Sequence, residues 1–189
     1  MDLDLASHIE DGTIEIHQVD PNEQSPGEFA YRVRRKVEND GVRVLVIDSL
    51  NGYLTAMTSE RFLLAQLHEL LGYLNAHGVL TIMTTAQHGM VNTTDTTSFE
   101  LTYLADLMIY LRYFEAGGSV RKAISVIKNR LSAHETSIRE FEITDKGLQI
   151  GTPLRQFKGI LSGIPRLLGE AEDLLNLAPE SGSKGATAG

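Results

Sequence analysis

The stretch that decides the fold is "VRVLVID" at residues 42–48. It is a nearly continuous run of β-branched and aliphatic side chains that ends in an acid, Asp48. Such a run is typical of a central strand buried on both faces of a parallel sheet. A leucine-rich segment follows, and "VLTIMTT" at 79–85 is a second apolar run of strand length. Strand, helix and strand form a βαβ unit, which predicts an α/β fold with a mostly parallel sheet flanked by helices.

Leucines between these two strands define the best helix in the sequence. They recur every three or four residues and share one helical face: Leu63, Leu67, Leu70, Leu71 and Leu74. Thr58 or Ser59 is placed to cap the start of this helix, and Gly78 lies where a left-handed residue would end it.

The N-terminal segment predicts one further strand and one further helix. "TIEIH" at 13–17 alternates apolar and polar side chains, as a short strand does. The stretch from Gly27 to Asn39 has helix-forming content and precedes the turn-like "NDG" at 39–41.

The C-terminal half predicts antiparallel strands. Residues 107–115 and 119–129 flank two glycines, so they read as a hairpin, and 139–144 forms another strand. We then expect a short helix over 170–177 and a disordered Gly-rich tail over 178–189. This assignment leaves residues 1–169 as the folded domain.

Composition favours a soluble cytoplasmic protein. The chain has 189 residues, of which 42% are hydrophobic, and it contains no cysteine. No apolar run approaches the roughly 20 residues that span a bilayer, so we expect no membrane partner. The formal net charge of -8 disfavours a broad nucleic-acid surface.

Asp48 is the first candidate site residue, because open α/β sheets bind ligands at the carboxyl ends of their strands. A carboxylate there can hold the water shell of Mg²⁺ between phosphates, and Ser49 can add a hydroxyl group. The alternative is structural, since buried strands often end in an acid that caps the next turn or helix.

Lys128 and Arg130, in "KNR" at the end of a predicted strand, form the second candidate pair. Residues two apart project from the same face of a strand, about 7 Å apart. An ammonium and a guanidinium together suit a triphosphate, and such groups often reach into a neighbouring subunit's site. The alternative is a solvated strand end.

Gln87 follows the second predicted parallel strand and would lie beside Asp48 if the two strands are neighbours. It could sense a γ-phosphate or only make loop hydrogen bonds. The histidine spacing suggests no metal site. The sequence contains no G-x-x-x-x-G-K-[ST], the loop whose backbone N–H groups and lysine cradle phosphates.

Four segments in this order resemble the KaiC family of RecA-like ATPases. They are "VLVIDSLNGYL", "YLADLMIYLRYFE", "RKAISVIKNRLSAHETSIREFEITDKGLQI" and "FKGILSGIPRLLG". The resemblance runs from about Asp4 to Gly169. It implies a ring of RecA-like domains that hold ATP and Mg²⁺ between subunits.

The resemblance also implies roles for particular residues. Asp48 matches the Walker B aspartate, and Lys128 and Arg130 match a pair that acts on the neighbouring subunit's ATP. His134 and Asp145 match positions near that nucleotide.

Possible phosphorylation sites follow from the same resemblance. Thr97 and Thr102 align with two hydroxyl residues that are autophosphorylated in the cyanobacterial clock protein, but Tyr103 replaces the third. This difference argues against a clock phosphorylation cycle.

In the family, a P-loop strand, its helix and paired catalytic glutamates would precede Met1, so we expect this chain to be an incomplete ATPase domain. We expect no tight ATP binding by the chain alone, and ATPase or autokinase activity only within a complete domain or ring. Loss of an interior strand predicts association with itself or with KaiC-like homologues. The alternative is an interaction module that joins complete homologues and completes or blocks their ATP sites.

Overall fold

The computed structural model describes residues 4–20, 24–55, 60–86, 103–162 and 165–168. The chain divides into two compact units. The N-terminal unit comprises the described residues up to 86 together with 103–105, and the C-terminal unit comprises those from 106 onward. Within these ranges, no helix combines the length and apolar character needed to cross a membrane.

The N-terminal unit begins with two helices, α1 (Leu5–Glu10) and α2 (Pro26–Asp40). Ser25 starts α2 with a capping box: its side chain accepts from the N–H of Glu28, whose carboxylate accepts from the N–H of Ser25. Gly41, at φ 68°, ends the helix in the left-handed conformation. The predicted helix over 27–39 is confirmed.

The predicted strand at 13–17 is wrong, because these residues form neither strand nor helix. The segment is held instead by side-chain contacts: Lys36 Nζ on α2 donates to Glu15 Oε2 over 2.6 Å. Alternation alone does not make a strand without a neighbouring strand to complete its hydrogen bonds.

A parallel βαβ unit follows. It consists of β1 (Val44–Ile47), α3 (Leu50–Thr55), α4 (Glu60–Ala76) and β2 (Leu80–Met83). The two strands pair in parallel from Val44 opposite Leu80 to Ile47 opposite Met83. The α/β prediction is thereby confirmed, and Gly78, at φ 69°, follows the end of α4 as expected.

The core of this unit lies between the helices and one face of the strand pair. Leu63, Leu67, Leu70 and Leu74 of α4 are 0% exposed. Leu70 and Leu74 pack with Val33 of α2 and Val79, and Leu45 of β1 lies against this cluster. Burying each leucine contributes about 1.5–3 kcal/mol relative to exposure.

The opposite face of the strand pair is open. Val44 and Val46 are 54% and 59% exposed, and Leu80 and Ile82 are 59% and 46% exposed. The prediction that β1 is buried on both faces is therefore wrong for the described structure. Side chains of a strand alternate between faces, and α2 and α4 cover only the face that carries Leu45.

The C-terminal unit is antiparallel. Its main sheet has the order β3 (Leu107–Ala116), β4 (Ser119–Asn129), β5 (Arg139–Thr144) and β6 (Gly147–Pro153). The predicted hairpin and third strand are confirmed. Gly117 and Gly118 have φ of 60° and 73°, and a two-residue hairpin turn of type I′ requires positive φ at both positions.

A second small sheet, β7 (Phe157–Lys158) with β8 (Arg166–Leu167), completes the described part of this unit. Its core contains Phe114, Ala123 and Ile160. The rings of Phe114 and Phe157 meet edge to face at 5.7 Å. The predictions for 170–177 and 178–189 fall outside the described residues.

Candidate functional site

The carboxyl ends of β1 and β2 bring two polar side chains together. Ile47 and Met83 pair at the end of the ladder, so the next residues, Asp48 and Thr84, are neighbours. Thr84 Oγ1 donates a short hydrogen bond to Asp48 Oδ1. The backbone continues the connection, because Thr84 N donates to Ile47 O at 3.0 Å and Leu50 N donates to Thr84 O at 2.9 Å. This edge is held by main chain and side chain alike.

Asn51, at the start of α3, joins the same two segments. Its Nδ2 donates to Ala86 O at 2.9 Å, and Ala86 N donates to its Oδ1 at 2.8 Å. The side-chain amide of Asn51 thus donates to and accepts from the backbone of one residue, as a paired residue in a β-sheet does. Asn51 and Thr84 were missed by sequence reasoning, because their partners lie 35 and 36 positions away. The sequence signal that could have identified Thr84 is the presence of hydroxyl side chains directly after β2.

The oxygen groups at this edge fit a hydrated magnesium ion. Asp48 is exposed and Ser49 is half-buried, so carboxylate and hydroxyl oxygens are within reach of solvent. Mg²⁺ prefers oxygen ligands and usually keeps several waters, which one carboxylate and nearby hydroxyls can hold. Gln87 lies outside the described residues.

The second candidate group lies in the C-terminal unit at the end of β4. Lys128 pairs with Met108 of β3, and Val126 pairs with the next β3 residue, so Ile127 is an extra residue in a β-bulge. Arg130 follows the strand, where its backbone N donates to Asp106 O at 2.8 Å and its Nη1 donates to Asp106 Oδ1 at 3.1 Å.

This ion pair is substantially solvated, since the side chains of Arg130 and Asp106 are 52% and 50% exposed. Asn129 between the two cations shapes the turn. Its Oδ1 accepts from Leu131 N at 3.1 Å, and its Nδ2 donates to Ser132 Oγ at 2.9 Å. The structure therefore presents Lys128 and Arg130 on either side of a braced asparagine.

His134 and Asp145 occupy two different places in the C-terminal unit. Half-buried His134 lies in the connection between β4 and β5, and exposed Asp145 lies in the turn between β5 and β6. Because Ala123 pairs with Glu140 in antiparallel register, β5 runs back toward the start of β4. Asp145 therefore lies toward the opposite end of β4 from Lys128, so the two cannot contact the same phosphate within this unit.

The residue next to His134 has a perturbed acidity. The guanidinium of Arg139 and the hydroxyl of Ser137 both donate to Glu135, and they hold the pKa of this carboxyl below its ordinary value. The connection between β4 and β5 therefore carries a stable negative charge beside His134.

The predicted phosphorylation sites Thr97 and Thr102 lie outside the described residues. Tyr103, which lies within the described residues, is 51% exposed, and its ring centroid lies 6.3 Å from that of His68 on α4.

The parallel strand pair with helices against it makes the N-terminal unit an α/β structure, and its exposed acid lies at the edge where open α/β sheets commonly bind ligands. Comparison with protein families is more specific, because the model of the KaiC ATPase family matches residues 2–155. The chain belongs to the KaiC family of RecA-like ATPases.

Individual relatives agree with this assignment. The circadian clock protein KaiC3 of Synechocystis sp. is 41% identical over 76 residues, which cover 40% of this chain and 15% of the relative. The circadian clock oscillator protein KaiC of Synechococcus elongatus is 31% identical over 121 residues, which cover 64% of this chain and 23% of the relative. This chain thus spans less than a quarter of the length of either relative.

Proposed function

We propose that this chain contributes two parts of a KaiC-type ATP site: the magnesium-facing carboxylate of Asp48, and the Lys128 and Arg130 cations that act on the nucleotide of a neighbouring subunit. The observation that carries the proposal is the position of Asp48, which lies at the carboxyl edge of β1 and accepts from Thr84. Magnesium at such an edge neutralises phosphate charge when bound. Thr84 orients the carboxylate, and Ser49 adds a hydroxyl oxygen beside it.

The ion pair at the end of β4 supports the second part. Arg130 rests on Asp106 through a half-exposed contact, and exposed ion pairs are worth only about 0–1 kcal/mol. A triphosphate carries more charge than one carboxylate, so it can take Arg130 from Asp106 at small cost. His134 and Asp145 would contact parts of the nucleotide other than the phosphate bound by Lys128.

We further propose that these 189 residues do not bind ATP tightly on their own, since they contain no G-x-x-x-x-G-K-[ST] loop. Partners are the same chain or complete KaiC-like homologues. The exposed apolar face of β1 and β2 supports association, because Val44, Val46, Leu80 and Ile82 are each at least 46% exposed. That face also favours the second candidate function, an interaction module that completes or blocks a homologue's ATP site.

Calorimetry with Mg-ATP, run beside light scattering for mass, tests the isolated chain. We expect no measurable heat of binding at micromolar protein, together with self-association. Micromolar ATP binding by a monomer would contradict the proposal, because another segment would then cradle the phosphates.

A mixing experiment tests Lys128 and Arg130. The chain is titrated into a complete KaiC-like ATPase, and the hydrolysis rate is followed. We expect a changed rate that disappears in the double variant Lys128→Ala with Arg130→Ala. The matched control is Arg155→Ala with Lys158→Ala, which removes two exposed cations of the same unit. If the change in hydrolysis rate disappears equally in both double variants, the effect is one of general charge, and the role assigned to Lys128 and Arg130 is rejected.

A further inference from the structure

The antiparallel sheet of the C-terminal unit has two edges of different character. β3 forms one edge of this sheet, and β6 forms the other. β6 contains two glycines and ends at Pro153, and its register against β5 shifts between Arg139 and Phe141. Proline and bulges prevent unwanted pairing at the edge of a sheet, and glycine weakens a strand. The edge formed by β6 is therefore protected.

β3 lacks these protections over most of its length. It has ten residues without proline or glycine, and it pairs with β4 without a register shift from Ile109 to Ala116. Its charged side chains are Arg112 and Glu115, and the part-buried Arg112 Nη1 donates to Leu161 O over 2.7 Å. A long, regular and largely uncharged edge strand is a template for pairing with another strand.

The hairpin turn determines which backbone groups of β3 point away from β4. Ala116 and Ser119 flank the two-residue turn, so they exchange hydrogen bonds with each other, and every second residue of β3 from Ala116 does the same with β4. The residues between them direct their backbone N–H and C=O groups outward: Ile109, Leu111, Tyr113 and Glu115. No described strand pairs with this side of β3. The edge thus offers a row of backbone donors and acceptors to a further strand.

The same residues carry the exposed apolar side chains of the strand. Exposure alternates along β3: Ile109, Leu111 and Tyr113 are 52%, 60% and 60% exposed, whereas Phe114 on the other face is 4% exposed. A strand added at this edge would gain backbone hydrogen bonds and cross-strand apolar contacts together. An extended strand therefore fits this surface better than a helix or a small molecule does.

The order of side chains along β3 suits a second copy of the same strand. In an antiparallel pair of identical strands, outward-pointing residues must meet outward-pointing residues, so only alternate registers keep the side chains of both copies on matching faces. Two of these registers overlap all of β3 except one terminal residue. One of them places Arg112 opposite itself, which opposes like charges, and the other places Leu111 opposite itself.

The register centred on Leu111 gives compatible neighbours along the strand. It places Ile109 opposite Tyr113 of the second copy, which is a favourable pairing of a β-branched and an aromatic side chain. It also places Arg112 opposite Tyr110 of the second copy rather than opposite another cation. Because the pairing is two-fold symmetric, each contact occurs twice and the assembly closes as a dimer.

We propose that the outer edge of β3 is a homodimer interface, at which two copies of this chain pair in antiparallel fashion with Leu111 at the two-fold axis. The two four-stranded sheets then form one continuous sheet. The inference rests on the self-association included in the proposed function, and it assigns that association to a surface separate from the open face of β1 and β2. It involves none of Asp48, Lys128 and Arg130.

Disulfide trapping tests the register directly, because the chain contains no cysteine. Residues opposite each other in a hydrogen-bonded antiparallel pair have Cα atoms about 5.5 Å apart, which suits a disulfide. Leu111→Cys is therefore expected to form a disulfide-linked dimer under mild oxidation at least tenfold faster than Ile109→Cys. In the proposed register the two copies of residue 109 lie about 13 Å apart, which is too far for a disulfide. Ile143→Cys, on β5 at a position that is 61% exposed, is the second control.

Analytical ultracentrifugation measures the dimer without a cross-link. We expect Leu111→Lys to raise the dissociation constant at least tenfold, because two lysines would meet at the axis. Ile143→Lys makes the same change at an equally exposed position away from the edge and is expected to leave the dissociation constant unchanged. Far-UV circular dichroism checks that both variants fold. In the unchanged chain, the backbone amides of Leu111 and Tyr113 are expected to exchange more slowly with solvent as the protein concentration rises.

Four results would overturn the inference. The first is a chain that stays monomeric at millimolar concentration, and the second is equally fast cross-linking of the three cysteine variants. The third is loss of the dimer in Val46→Lys but not in Leu111→Lys, which would place the contact on the open face of β1 and β2. The fourth is protection of the Leu111 and Tyr113 amides only after a complete KaiC-like ATPase is added, which would assign the edge to that partner.

These results are distinguishable from failure of the proposed ATP-site roles. A monomer would also contradict the self-association proposed above, but the second, third and fourth results would leave the proposed function intact. The roles of Lys128 and Arg130 are tested by the hydrolysis rate in the mixing experiment, in which neither Leu111 nor Ile109 is changed.

Discussion

The carboxyl edge of β1 and β2 and the end of β4 hold their candidate groups in different ways. Asp48 belongs to a network of short contacts, in which Thr84 donates to its carboxylate and the backbones of the two segments are joined on both sides. The contacts described for Arg130 are a half-exposed ion pair with Asp106 and a hydrogen bond from its backbone N–H to Asp106 O. The first arrangement fixes the carboxylate of Asp48 in place, whereas the ion pair between Arg130 and Asp106 is solvated and weak. The roles proposed for the two groups require these properties, because a carboxylate that faces a metal must be preorganised and a cation that acts on another molecule must leave its own partner.

The largest expected effect comes from a substitution in the core of the sheet whose strand β4 leads to Arg130. Phe114 is 4% exposed and packs in the core of the sheet that carries β4. We expect Phe114→Ala to lower the free energy of unfolding by about 3–5 kcal/mol, because it leaves a cavity in a small core. Urea denaturation measures the change. Tyr113→Ala is the matched control, since its side chain on the same strand is 60% exposed, and it is expected to cost much less.

A smaller effect is expected from a substitution at the edge that holds Asp48. Asn51→Ala removes two hydrogen bonds to Ala86 and is expected to cost about 1–2 kcal/mol by urea denaturation. The amide protons of residues 84–86 are expected to exchange faster with solvent. Asn75→Ala, at an exposed position of α4, is the control with the same chemical change. If both variants lose the same stability, Asn51 does not join the two segments as described.

Loss of the ion pair between Arg130 and Asp106 should change the stability less. Asp106→Asn is expected to change the free energy of unfolding by less than about 1 kcal/mol, because the pair is half-exposed. A double-mutant cycle with Arg130→Ala isolates the interaction between the two side chains. A coupling above 2 kcal/mol would show that Arg130 is locked on Asp106, and the contrast between the two regions would fail.

The smallest effect concerns acid sensitivity at the start of α2. The backbone N–H and hydroxyl of Ser25 hold the pKa of Glu28 below its ordinary value of 4.5. Its stabilising contribution is therefore present above pH 4.5 and is lost as the pH falls through the lower folded value. The difference in urea midpoint between the unchanged chain and Glu28→Gln should shrink from pH 7 to pH 3. A difference that stays constant would mean that the charge of Glu28 contributes nothing to the cap.

Sequence periodicity was sufficient for elements whose pattern is local. The leucine face of α4 and the hairpin around Gly117 and Gly118 depend on neighbours within a few residues, so both were predictable. The position of Asp48 was also predictable, because it follows directly from the end of an apolar strand.

Features that depend on distant residues were not predictable in this way. The open face of β1 depends on what covers it rather than on its own side chains, so the apolar run at 42–48 suggested more burial than the structure has. Thr84 and Asn51 act through partners about 35 positions away, and Asp106 meets Arg130 only because β3 and β4 pair. One sequence without aligned relatives carries no signal for such pairs.

The bulge at Ile127 has a consequence for how this part of the chain can change. In a regular strand, Val126 and Lys128 would share a face, but Lys128 pairs with Met108 while Val126 pairs with Ile109, and adjacent β3 residues face opposite ways. The extra residue therefore lets Val126 and Lys128 face opposite sides of the sheet. Deleting Ile127 would remove the bulge and leave Lys128 opposite Met108, on the surface of the sheet that it faces now. The pairing of Lys128 with Met108, and not its spacing from Val126, therefore sets the surface on which its charge lies.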